Sequence, residues 1–214
     1  MTTAIIGTGN IGGALARHLV DGGESVVLAS SDESHAMSLA AELGPRARAA
    51  SSEDAIKGAD TVVFAVWLDT MRELIARDAQ LLGNKTVVDP SNPLGFDESG
   101  QMIRTLPEGQ SAGSVIAGLL PASSHYVKAF GTLPADALAN NSSSQPARKV
   151  LFYATDDDVA AMSTERLIRS AGFDPLKIGG VPDAGRIELP GGDLFGTLFD
   201  LDGARTALMR TASA

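Results

Sequence analysis

Apolar residues along this chain follow two spacings in turn. Mainly apolar runs at 3–6, 25–29, 61–66 and 86–89 read as strands, and the one at 25–29 is of the continuous kind buried on both faces of a parallel sheet. Between them apolar residues recur every three or four positions, as at Ile11, Leu15 and Leu19, which marks the buried stripe of a helix. The first unit therefore reads strand, tight turn, helix over 10–20, a stop at Gly22 and Gly23, and a second strand. The alternation continues with helices over 35–43, from Ser52 and over 69–82, and with a short strand at 47–50. Residues 90–109 read as a loop, followed by a helix over 111–119, strands at 126–130 and 150–154, a helix over 158–171 and a strand near 175–178. This pattern predicts an α/β fold of Rossmann type, a doubly wound, mostly parallel sheet with a small C-terminal extension. The run NNSSSQPAR at 140–148 is the most loop-like in the chain. It divides a dinucleotide-binding core, 1–140, from a smaller α/β part, 148–214, expected to complete the substrate side.

Composition narrows the chemistry. With 214 residues, 44% of them hydrophobic, the chain can bury one core without a metal or disulfide. It has no cysteine, which excludes disulfides, thiolate zinc sites and cysteine nucleophiles. A net charge of -9 without any basic stripe argues against nucleic acid as a partner. No basic leader and no apolar run of about 18 residues is present, so no membrane partner and a cytoplasmic location are expected.

An anionic ligand must then be held by local backbone geometry, and Gly7-Thr8-Gly9-Asn10-Ile11-Gly12 supplies it between a predicted strand and helix. Gly7 permits the sharp turn off the strand, Gly9 leaves room for a pyrophosphate, and Gly12 lets the helix pack close on the strand. The second strand ends in Ser30-Ser31, where an enzyme selecting NAD usually offers a carboxylate to the ribose 2'-hydroxyl. Hydroxyls of Thr8, Ser30 and Ser31, with His35 on the next helix, favour the 2'-phosphate of NADP, although Asp32 is adjacent and no arginine stands there. Proton donors are few: Lys128, Tyr126 and His125 are the candidates. His18, His35 and His125 fall on different elements and predict no metal site, and Asp156, Asp157 and Asp158 precede a helix and read as caps. Trp67, at a strand's carboxyl end, suits either stacking on adenine or packing.

The stretches IIGTGNIGGALARHLVDGG, VVFAVW, VVDPSNPL, VKAFGTLPADAL, VLFYATDD and AGFDPLKIGG, spread over 3–194, resemble a known family. It comprises the dinucleotide-binding oxidoreductases that include NADPH-dependent reductases of the deazaflavin coenzyme F420, relatives of the oxidoreductase domain of membrane ferric reductases. The resemblance implies that Gly7 to Gly12 hold the pyrophosphate while Thr8, Ser30 and Ser31 face the 2'-phosphate. It further implies that Ala65, Val66 and Trp67 line the adenosine side, and that Asn92, Pro93, Gly131, Thr132 and Ala135 border the nicotinamide. The implied activity is hydride transfer between NADP(H) and a small redox partner, namely F420, a flavin or a similar molecule. The fold alone also admits an NADP(H)-binding redox sensor without catalysis. Ser30-Ser31 replaces the family's common Ser-Arg, and Gly131 stands where deazaflavin-reducing members carry His. The tail after Leu194 is shorter than in full members, which suggests a substrate side left open or completed by a second copy in a homodimer.

Overall fold

The apolar runs assemble into one eight-stranded sheet in the computed structural model, which describes residues 1–211. Its first half follows the expected alternation: β1 (Thr2–Ile6), α1 (Asn10–Asp21), β2 (Ser25–Ala29), α2 (Glu33–Leu43), β3 (Ala47–Ala49), α3 (Ser52–Lys57), β4 (Thr61–Phe64), α4 (Leu68–Asp78) and β5 (Thr86–Asp89). A hairpin follows, β6 (Leu94–Phe96) and β7 (Met102–Arg104), then α5 (Ala112–Leu119), β8 (His125–Ala129) and α6 (Ala135–Asn140). The chain ends with β9 (Val150–Ala154), α7 (Asp158–Ser170), β10 (Asp174–Gly179), a 3-10 segment (Val181–Ile187) and α8 (Leu201–Thr211).

The strand order is β10-β9-β8-β5-β4-β1-β2-β3, and every pairing is parallel except β8 with β9. An antiparallel neighbour enters at the edge where its predecessor leaves, so the six-residue α6 and the loop after it need not cross the sheet. β9 and β10 thus extend the same sheet beyond the 140–148 seam. The segment 90–109, read from sequence as a loop, contains the separate antiparallel β6–β7 ladder. Its three-residue strands are too short to show an alternating pattern, and Phe96, Met102 and Ile103 are exposed.

Strand side chains alternate between two cores. Ile5, Leu28, Val63, Val88 and Val127 pack with Leu15, Leu39, Leu138 and Leu167 of α1, α2, α6 and α7. On the other face Ala4, Ile6, Val62, Phe64 and Val87 meet Ile56, Met71 and Ile116 of α3, α4 and α5. A third core joins β9 to α8 through Val150, Phe152, Ile187, Leu194 and Ala204. Of the three aspartates read as caps, Asp157 is the N-cap of α7, accepting from the Ala160 N–H at 2.8 Å.

One charged cluster lies inside this apolar frame. Lys128 of β8, 1% exposed, is 3.1 Å from Asp89 at the end of β5 and 3.3 Å from Glu188 in the C-terminal segment. Its ammonium also donates to the Ser91 carbonyl. Asp89 accepts from the Tyr126 hydroxyl at 2.8 Å and from the Ser91 N–H at 2.7 Å. Glu188 accepts from the Ala112 and Gly113 N–H groups, both at 2.8 Å, at the start of α5. Burial first, then the adjacent Asp89 charge, pushes the Tyr126 phenol well above its usual range, so it remains a donor.

Two stability predictions follow from this packing. An added Cβ on Gly12 would collide with the Gly7 carbonyl oxygen and stand 3.0 Å from Ala65 Cβ. Gly12→Ala should therefore cost about 1–3 kcal/mol, seen as a lower denaturant midpoint, whereas an unchanged midpoint would show that this contact relaxes freely. Lys128→Met leaves two buried carboxylates uncompensated and should cost about 3–5 kcal/mol in the same measurement. A loss below about 1 kcal/mol would contradict the burial of all three charges together.

Candidate functional site

β1 lies between β2 and β4, so the sheet's order reverses at the carboxyl ends of β1 and β4, where open α/β sheets form their ligand crevice. The glycine loop occupies this crevice. Gly7 has φ +99°, its N–H bonds to the Ala29 carbonyl at 2.8 Å, and it lies tight against the Ala65 backbone. Gly9 differs: it is exposed, has an ordinary φ of -71°, and an added Cβ would meet nothing within 4 Å. It is also the N-cap of α1, with no capping side chain and no acidic residue in the first turn. The positive end of α1 and its free N–H groups thus face open space. The neighbouring Thr8 hydroxyl is buried and has no partner. These features fit the pyrophosphate of a dinucleotide, which needs backbone donors, a small residue at the point of closest approach and side-chain donors nearby.

Two clefts meet over this helix end. One, of about 600 Å³, is lined by Gly9, Asn10, Ile11, Ala65, Val66, Trp67, Pro90, Ser91, Asn92, Leu94, Met102, Leu133, Pro134, Ala135 and Phe195. The other, of about 800 Å³, runs along α1 and α2 and is lined by Thr8, Gly9, Asn10, Gly13, Ala14, Arg17, His18, His35, Ser38, Leu39, Glu42, Ala135, Asp136 and Ala139. They share Gly9, Asn10 and Ala135, so one groove passes across the start of α1.

The first cleft brings together Gly9, Asn10, Ile11, Ala65, Val66, Trp67, Asn92 and Ala135 from the residues singled out in the sequence. Ala65, Val66 and Trp67 therefore share a cavity with Asn92 and Ala135. Trp67 is 53% exposed and meets Phe96 of the hairpin edge to face, with centroids 5.5 Å apart. Sequence reasoning missed Leu94 and Met102 because it missed the hairpin, and Phe195 because that residue comes from the tail. Ser91 was also missed, although it lies between Asp89 and Asn92 and carries a buried hydroxyl without a partner.

Thr8 and His35 line the second cleft. Ser30 is partly buried, Ser31 is exposed, and both lie outside the two clefts. Pro93, Gly131 and Thr132 are buried and do not line the first cleft. The Pro93 carbonyl accepts from the Thr105 N–H at 2.9 Å, Gly131 packs on the Pro90 backbone, and the Thr132 hydroxyl donates to the Phe152 carbonyl at 3.4 Å. Asn92 ties the region together: its Nδ2 donates to the Gly131 carbonyl at 3.3 Å, and its Oδ1 accepts from the Leu189 N–H at 2.7 Å.

The three proton-donor candidates do not reach this groove. Lys128 and Tyr126 are committed to Asp89 and Glu188 inside the buried cluster. His125 opens β8 opposite Thr86 and so lies at the amino edge of the sheet, where its Nδ1 is 2.7 Å from Asp157 Oδ2. None of the residues lining the first cleft is ionisable. Among the described residues, no cluster of His, Cys, Asp and Glu could hold a metal ion, and no helix is long and apolar enough to cross a membrane.

Comparison with known proteins agrees with this geometry. Residues 2–93 match the family model described as NADP oxidoreductase, coenzyme F420-dependent. The metalloreductase STEAP3 of Rattus norvegicus is 29% identical over 86% of this chain, which spans only 35% of that protein's length. A hypothetical protein from Sinorhizobium meliloti superposes with a TM-score of 0.82 at 29% identity, covering 94% of this chain and 95% of its own. A candidate F420-dependent NADP reductase from Arthrobacter sp. FB24 gives 0.73 at 25% identity, covering 85% and 86%. The matched residues 2–93 carry the glycine loop and the carboxyl ends of β1, β4 and β5, so this part of the chain is similar to the coenzyme F420-dependent NADP oxidoreductases.

Proposed function

We propose that this chain transfers hydride between NADP(H) and a planar redox acceptor such as a deazaflavin or flavin. The observation that carries the reading is a cleft of about 600 Å³ that adjoins the glycine loop, has largely apolar walls and contains no ionisable side chain. NADPH supplies the hydride when bound. Gly9, Asn10 and Ile11, at the start of α1, would hold its pyrophosphate, and Asn92 and Ala135 would border the nicotinamide end of the groove. Trp67, Leu94, Met102 and Phe195 would keep water from the transferred hydride and present an apolar wall to the acceptor ring. Two stacked rings need orientation rather than a side-chain acid, and any proton the acceptor takes up comes from solvent.

Gly131 bears on acceptor choice. A Cβ there would collide with the Pro90 carbonyl, so this backbone accepts no side chain at the position where the deazaflavin-reducing relatives carry His. Contact with the acceptor would fall instead to the hairpin and to Phe195. We further propose that 1–140 forms the cofactor core and that 148–214 completes the substrate side, through Phe195 and the link from Leu189 to Asn92.

Gly9→Val separates binding from folding, because its side chain would enter open space in the groove. The variant should lose no more than about 1 kcal/mol of stability while its thermal stabilisation by NADPH disappears. A retained NADPH response would remove the glycine loop from the binding site. The acceptor is tested by following 340 nm absorbance of NADPH with F420, riboflavin, FMN, and carbonyl and imine compounds. Consumption with a deazaflavin or flavin is expected. Turnover confined to carbonyls or imines would overturn the acceptor class, and tight NADPH binding without turnover on any acceptor would favour a redox sensor.

A further inference from the structure

We infer that Arg17 receives the 2'-phosphate of NADP(H) and sets the preference over NAD(H), an assignment that rests on the cofactor reading above. The end of β2 supplies no cation. Ser30 and Ser31 lie outside the groove, and the next residue, Asp32, caps α2. The Ser34 hydroxyl, and then its N–H, hold the Asp32 carboxyl below the usual range, so a fixed negative charge stands there. A phosphate dianion beside it needs a positive partner from another element.

α1 provides one. Asn10, Gly13 and Arg17 succeed one another at helical spacing and line the same cleft. The Arg17 Nη1 donates to the Gly13 carbonyl at 3.1 Å. A Cβ placed on Gly13 would stand 3.3 Å from Nη1 and 3.5 Å from the Thr8 carbonyl, so the guanidinium lies beside the glycine loop. Thr8, whose hydroxyl is buried and unpartnered, lines this cleft together with His35 and Ser38 of α2. A guanidinium, hydroxyls and an imidazole form a donor set suited to a phosphate monoester, and the 2'-hydroxyl of NAD has no use for it.

Glu42 occupies the guanidinium meanwhile. Arg17 Nε and Nη2 donate to its two carboxylate oxygens at 2.9 and 2.8 Å, in a pair whose side chains are 46% and 55% exposed. Pairs this exposed are held weakly, so a dianion arriving beside Thr8 can displace the carboxylate without first ordering the arginine. Glu42 is then a competitor with the phosphate, and the Gly13 carbonyl keeps Arg17 in place when the carboxylate leaves.

The test is nicotinamide fluorescence titration of NADPH and NADH on the full chain, for the native protein, Arg17→Gln and Glu42→Gln. Arg17→Gln should weaken NADPH about 10- to 100-fold and leave NADH within about twofold, while Glu42→Gln should leave NADPH as tight or up to several-fold tighter. An unchanged NADPH-to-NADH ratio in Arg17→Gln, or equal loss of both cofactors, would overturn the assignment with cofactor binding intact. So would weaker NADPH binding in Glu42→Gln. Native protein that binds neither cofactor would overturn the cofactor reading itself, and this inference with it.

Discussion

The arrangement of the groove depends on one desolvated cation shared by two carboxylates. Lys128 comes from the middle of the sheet, Asp89 from the next strand, and Glu188 from a segment outside the sheet. Removing any one of them would strand the others in a medium that penalises unpaired charge, so the three elements are fixed together or not at all. The cluster also grips both main-chain groups of Ser91, the N–H through Asp89 and the carbonyl through Lys128. The Ser91 and Asn92 wall of the first cleft is therefore placed by electrostatics two residues away, and Asn92 passes that placement on to Gly131 and Leu189. A lysine so engaged has no free donor for a substrate, which is why its position near the site is compatible with a structural role.

The chain carries a net charge of -9, yet the groove it presents is suited to an anion. Dipoles resolve the conflict at the glycine loop: the start of α1 has neither a capping side chain nor an acid in its first turn, so its positive end is unshielded. Long-range repulsion from the rest of the surface is screened within about 8–10 Å at ordinary ionic strength, whereas contact with backbone donors is not. On the proposed reading, selection between two closely related anionic cofactors then rests on a single side chain.

Much of this was legible in the sequence. The strand and helix periods of the first half appear in the structure within a few residues, because buried parallel strands and amphipathic helices leave strong patterns. Gly7, Gly9 and Gly12 could be read because each spacing has a separate steric cause, and each cause is visible: positive φ at Gly7, open space at Gly9, a blocked Cβ at Gly12. What escaped lacked such a signature. The β6–β7 strands are three residues long, and Phe195 reaches the cleft from the far end of the chain. Arg17 reads as one more polar position on a helix until the turn of α1 brings it beside Thr8. His125 and Lys128 lie three residues apart on one strand, yet one sits at the edge of the sheet opposite the groove and the other inside a charged core. Sequence proximity carried no information about that difference.

The reversal of direction at β9 divides the freedom of the molecule unevenly. Because β9 and β10 run opposite to the other six strands, their carboxyl ends point away from the groove. The chain returns to it only through the stretch after β10, which enters no strand. That stretch is moored by Glu188 at the charged cluster, Leu189 at Asn92, the Gly196 N–H on the Thr132 carbonyl at 2.8 Å, the Phe199 carbonyl on the Val150 N–H at 2.9 Å, and Ile187, Leu194 and Ala204 in the third core. Between those moorings the backbone is free of sheet register, so its exposed side chains can change without disturbing the strands that form the crevice. On the proposed reading, a change of electron acceptor would then call for new side chains only on the hairpin and on this strap, and for none in the parallel strands.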